Sequence, residues 1–155
     1  MILYNYVEPL NQKCMEGIIK LVGQVVDVFS EGTAYTGRRY CRFTLECDSI
    51  WQKNSEEKEY SRAAISVKRI DVPYYGAVRM SQSESDKFGF DDNMLGTDGF
   101  GADIDDIRCG HQIEVYVQWR QTEGLNGLKH KVQQHVVVIN KSKCPLELKD
   151  LLNQI

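Results

Sequence analysis

The segment RRYCRFTLECD (38–48) alternates cleanly from Tyr40 to Cys47. Cys41, Phe43, Leu45 and Cys47 fall on one side, and Tyr40, Arg42, Thr44 and Glu46 on the other. A period of two sends successive side chains to opposite faces of a strand, so this segment is expected to lie with one face on a core and one outside. Such a strand leaves its backbone N–H and C=O groups without partners, so the rest of the chain must supply neighbouring strands.

The chain offers four more such runs. GIIKLVGQVVDVF (17–29) is β-branched and apolar, with Gly23 marking a bulge or the sharp bend of a closed barrel. Turn residues fill SEGTAYTG (30–37), and SIWQKNSEEKE (49–59) reads as a polar hairpin connection. YSRAAISVKRI (60–70) is expected as a third strand, with Ala63, Ile65 and Val67 inward. Residues 76–102 are rich in Gly, Ser and Asp without a period, which predicts a long insertion with little order. ADIDDIRCG (102–110) fits a short helix ending at Gly110. HQIEVYVQWR (111–120) and LKHKVQQHVVVI (128–139) are the last two strands, joined by QTEGLNG. Pro145 opens PLELKDLLNQI, whose leucines have helical spacing.

Three strands, a break, two strands and a helix is the order of an OB fold, a partly open Greek-key barrel. The expected organisation is therefore all-β: a lead-in (1–15), a five-stranded OB-fold barrel (16–140) and a C-terminal helix (141–155). A long acidic insertion (71–106) separates strands three and four. The helix either caps the barrel or packs on another subunit, which points to a homo- or hetero-oligomer.

Charge is uneven. The formal net charge is −3, but residues 84–106 hold eight acids and one base, leaving a mildly basic body. The five cysteines form no CxxC pair, and Cys41 and Cys47 read as small core residues in a reducing compartment. Neither a metal site nor a cofactor is expected. No apolar run is long enough for a membrane helix, and MILYNYVEPLNQK resembles neither a signal nor a transit peptide. A cytoplasmic or other intracellular location is expected, with an organelle open if a leader has been removed.

Several of these segments together resemble the single-stranded DNA-binding protein (SSB) family. IIKLVGQVVDV is similar to the family's first strand, and FTLECDSIWQKNSEEKEYSRAAISV to its second and third strands with their charged hairpin. CGHQIEVYVQWR resembles its fourth-strand signature, departing from it at Val117 and Trp119, and VQQHVVVI its closing strand. The resemblance covers about residues 17–70 and 107–140. It implies an OB barrel that binds single-stranded DNA in replication, recombination or repair. SSB-like proteins also work on RNA inside larger complexes, so RNA and a protein-interaction role stay open.

Single strands are held by bases stacking on aromatic rings and by cations along the phosphates. On the outward parity of strands two to four the sequence supplies Tyr40 and Arg42, Tyr60 and Arg62, and Tyr116 and Arg120. The resemblance implies stacking roles for Trp51 and Tyr60. Lys129 and Lys131 begin strand five, where they can follow the backbone. Trp119 shares parity with Ile113, Val115 and Val117 and belongs to the core. Tyr74 and Tyr75 suit either edge packing or a binding rim. The insertion, with Phe88, Phe90, Leu95 and Phe100 among aspartates, is either a solvated loop or a segment that recruits protein partners or covers the basic face. No phosphate-gripping glycine loop, nucleophile elbow or HExxH helix is present, so catalysis is not expected.

Overall fold

The computed structural model describes residues 16–54, 56–64, 68–123 and 129–141. Long strands dominate. β1 (Glu16–Thr33) and β2 (Arg39–Asn54) form an antiparallel hairpin, followed by the short β3 (Ser61–Arg62) and by β4 (Arg69–Tyr74). After the insertion come β7 (Gln112–Glu123) and β8 (Lys129–Asn140). β1 is central, paired with β2 and β7; β2 also pairs with β3 and β4, and β7 pairs with β8.

The alternating segment behaves as its pattern predicts, with Cys41, Phe43 and Leu45 fully buried. They meet Ile19, Leu21 and Val25 of β1, Ile70, Val72 and Tyr74 of β4, and Ile113, Val115, Val117 and Trp119 of β7. Burial pushes the Cys41 and Cys47 thiols up to about 11, as desolvation disfavours the thiolate. The β1–β2 register shifts at Val22/Gly23, and a Cβ on Gly23 would overlap the Glu46 carbonyl oxygen. Glycine is required there by close approach of backbone.

The antiparallel sheet does not form the expected five-stranded OB-fold barrel: among the described residues it is not closed, and no ladder joins β4 to β8. Part of the insertion lies in that seam instead. The Ala102 N–H donates to the Val138 oxygen at 2.8 Å, and the Tyr74 hydroxyl donates to the Ala102 oxygen at 2.6 Å. With its outer edge free of a ladder, β4 accommodates Pro73. The expected third strand is split between β3 and β4; residues 65–67 lie outside the described residues. The C-terminal helix and the 1–15 lead-in also lie outside them.

The insertion is ordered, contrary to the expectation of a loose loop. Helix α1 (Gln82–Phe88) starts in a reciprocal cap between Ser81 and Glu84 and ends at Gly89, whose φ of 79° suits glycine. A two-rung hairpin of β5 (Leu95–Gly96) and β6 (Gly99–Phe100) follows. The helix expected over 102–110 is only a 3-10 turn at Ile104–Asp106. Phe88, Phe90 and Phe100 are buried with Ile18, Tyr116 and Val137, forming a second hydrophobic layer on the outer face of the sheet. Only Leu95 of the four apolar residues singled out from the sequence is exposed, at 53 %. No helix among the described residues is long and apolar enough to cross a membrane.

Candidate nucleic-acid interface

Strand register sets Tyr116, Lys20, Trp51 and Arg62 side by side on β7, β1, β2 and β3. The Lys20 ammonium lies 5.3 Å from the Trp51 ring centre and 4.9 Å from that of Tyr60. The Arg62 guanidinium lies 6.0 Å from the Trp51 ring on the opposite flank of the row. Cations at these distances are attracted to the negative ring faces, so the row holds together without a carboxylate. The half-buried indole is fixed by its N–H, which donates to the Ser49 hydroxyl at 2.9 Å.

Behind the row, Lys53 is buried at 3 % exposure, and its ammonium donates to the Glu57 carbonyl oxygen at 2.9 Å. Burial pulls its pKa below the ordinary lysine value. The Asn54 side chain shapes the turn here by accepting from the Glu56 and Glu57 amides. Tyr60 is half-buried; its hydroxyl donates to the Phe88 oxygen at 2.8 Å, and its ring meets Tyr116 edge-on at 5.9 Å. Burial, reinforced by Glu114, pushes the Tyr60 phenol well above its ordinary value.

Trp51, Tyr60 and Arg62 therefore converge, although Trp51 sits in a strand and not in the hairpin the sequence suggested. Tyr116 is on the expected outward parity but is not free for a ligand. It is 5 % exposed, roofed by Phe88 and Phe90, with the Phe90 ring centre at 4.9 Å. Its hydroxyl donates to Glu114 at 3.0 Å. The insertion's aromatics require a hydrophobic floor, and Tyr116 with Ile18 and Val137 provides it.

Tyr40 and Arg42 lie on the same face at the far end of β2, with Arg42, the nearer, nine residues from Trp51, or roughly 30 Å along the strand. Arg120 is exposed near the other end of β7. Lys129 and Lys131 lie in β8 opposite Glu123 and Gln121, and their side chains fall outside the described residues. Of the two undecided tyrosines, Tyr74 is core and Tyr75 is 51 % exposed.

Sequence reasoning missed Lys20 and Lys53. Lys20 is a lone lysine between Ile19 and Leu21, and Lys53 lies in a polar stretch but faces Ile18 across the β1–β2 ladder. Among the described residues no three His, Cys, Asp or Glu side chains are placed to hold a metal ion. Comparison with protein-family models, with curated proteins and with solved structures returned no match.

Proposed function

We propose that this chain binds single-stranded nucleic acid, without sequence readout or catalysis, on the outer face of an OB-type, SSB-like body. The observation that carries the reading is the row Lys20–Trp51–Arg62 with Tyr60 beside it: two cations and two aromatic rings within one small surface. A base stacks on Trp51 while Lys20 and Arg62 turn from the ring to the phosphates. Strand pairing supports the OB part: β1 sits between β2 and β7, β2 meets β4, and β7 meets β8. Following the SSB resemblance, DNA is the preferred ligand and replication, recombination or repair the setting.

A protein-interaction subunit of a larger nucleic-acid-processing complex is the second reading. It is favoured by the burial of Tyr116 under an acidic insertion, which removes one stacking ring from the face. Titration of tryptophan fluorescence with oligo(dT) and oligo(U) at several salt concentrations separates the two. Quenching that weakens with log salt, and that is lost in Trp51→Phe, is expected. No quenching at low salt with either probe rejects nucleic-acid binding at this row.

A further inference from the structure

The hairpin end of β2 carries a second group of aromatic and basic side chains. Phe29, at a bulge in β1, is 46 % exposed, with the Arg42 guanidinium 5.8 Å from its ring centre. The Arg38 guanidinium lies 5.9 Å from the Tyr75 ring, and its Nε donates to the Tyr75 carbonyl oxygen at 3.2 Å. Tyr40 leans on Tyr75 at 6.2 Å between ring centres. Phe29 and Tyr75 thus keep about half their surface in water, although a folded chain gains by burying such rings.

This group opens into a groove of about 680 Å³ along the unladdered seam between β4 and β8. Arg38, Tyr75, Arg79 and His135 line it, and Asp98 is the one acid among its lining residues. Arg38, Arg42 and Arg79 have no carboxylate within ion-pair distance among the described residues, unlike Arg39, which Asp105 holds at 2.7 Å. Exposed guanidinium groups without counter-charges favour an anionic ligand, and the flanking exposed rings suit flat groups attached to it.

The face between the two groups is unsuited to phosphate. Asp27, Thr44 and Asp71 make one rung across β1, β2 and β4, and Gln24, Glu46 and Arg69 the next. Asp71 accepts from the Thr44 hydroxyl at 3.0 Å, and Arg69 is engaged by Glu46 at 3.5 Å. Asp27 and Asp71 are exposed and meet no cation among these neighbours. A strand lying flat along β2 would bring its phosphates onto these carboxylates.

We infer that the hairpin end is a second single-strand site, distinct from the Trp51 row. It places phosphates in the Arg38–Arg79 groove and stacks bases on Tyr75 and Phe29. One long strand occupies both sites only by lifting off the acidic rungs between them. The inference rests on the nucleic-acid reading of the Trp51 row, and the test keeps the two apart.

Oligo(dT) of about 4 and about 16 nucleotides, the limits of an OB-type site, is titrated against the full chain and against Arg38→Ala/Arg79→Ala. Both arginines are solvent-facing, and thermal unfolding checks that the variant folds as the parent does. The 4-mer is expected to quench Trp51 equally in both proteins, being too short to span roughly 30 Å. The 16-mer is expected to lose on the order of tenfold in affinity, with a salt slope shallower by about 1.4 for two phosphate contacts. Tyr75→Ala is expected to weaken the 16-mer without altering that slope. An unchanged 16-mer affinity and slope, with Trp51 quenching intact, overturns the second site alone. Loss of 4-mer quenching in the arginine variant also overturns it, because the groups then act as one. Absence of Trp51 quenching in the parent rejects the Trp51 row instead. If a polyglutamate peptide binds the parent at this end in place of the 16-mer, the site is one for acidic protein segments and the inference fails.

Discussion

The hydroxyl of Tyr60 donates to the carbonyl oxygen of Phe88 at 2.8 Å, tying the rim of the basic row to the last residue of α1. One side chain thus belongs both to the proposed contact surface and to the layer that covers its neighbour Tyr116. Tyr60→Phe keeps the ring and removes the donor, leaving the Phe88 oxygen without that partner. The expected loss is about 1 kcal/mol in urea unfolding, with the folded structure otherwise retained. An unchanged midpoint would show that water replaces the bond at no cost.

Phe90 and Leu95 lie five residues apart in the same insertion and should respond oppositely. Phe90 is 6 % exposed and stacks between Phe88 and Phe100, whereas Leu95 is 53 % exposed. Phe90→Ala is expected to cost ~3–5 kcal/mol. Leu95→Ala should stay within about 0.5 kcal/mol. Similar melting curves for the two variants would contradict a second hydrophobic layer.

Alkaline pH should loosen both layers. Burial raises the pKa of Tyr60, Tyr74 and Tyr116, and Glu114 adds to the shift at Tyr60 and Tyr116. In each case the folded state holds its phenolic proton more tightly than the unfolded chain does. The stabilisation is complete below the ordinary phenol value of about 10 and is lost as pH rises beyond it. Unfolding free energy measured from neutral to strongly alkaline pH should fall over that range. Tyr60→Phe/Tyr116→Phe should flatten the fall; an equally steep decline would assign it elsewhere.

Stacking and charge at the row can be measured separately. Trp51→Ala is expected to weaken oligo(dT) binding roughly five- to hundredfold, the range for losing one stacked base. Lys20→Gln should reduce the slope of log affinity against log salt by about 0.7, the value for one phosphate contact on a single strand. Fluorescence anisotropy of a labelled oligonucleotide reads both. A Lys20 variant with an unaltered slope would leave that ammonium as a purely internal partner of the two rings.

The sheet was legible in the sequence where alternation ran unbroken, and hidden where a bulge reversed it. Cys41 to Leu45 and Ile113 to Trp119 keep one parity, so their burial followed from counting. Beyond Cys47 the register slips past Asp48, so Ser49, Trp51 and Lys53 take the outward side. That slip made the end of β2 look like a polar loop and set Trp51 in a hairpin. The second layer left no periodic trace, because Phe88, Phe90 and Phe100 come from a helix end, a turn and a two-residue strand. Each element contributes too few residues to show a period. Tyr116 was assigned to the correct face, but residues far away in sequence cover it.

The Ala102 amide bonded to Val138 occupies a hydrogen-bonding position on the outer edge of β8. An open strand edge is a template on which another chain can pair, and proteins commonly block it with a bulge, a charge or a covering loop. Here the covering loop is the insertion, which is also locked to β4 through Tyr74. Removing it would leave the protein prone to edge-to-edge aggregation through β8, so a shortened chain tests self-association as much as ligand affinity. Copies of the intact protein that assemble must meet through some surface other than this stretch of β8.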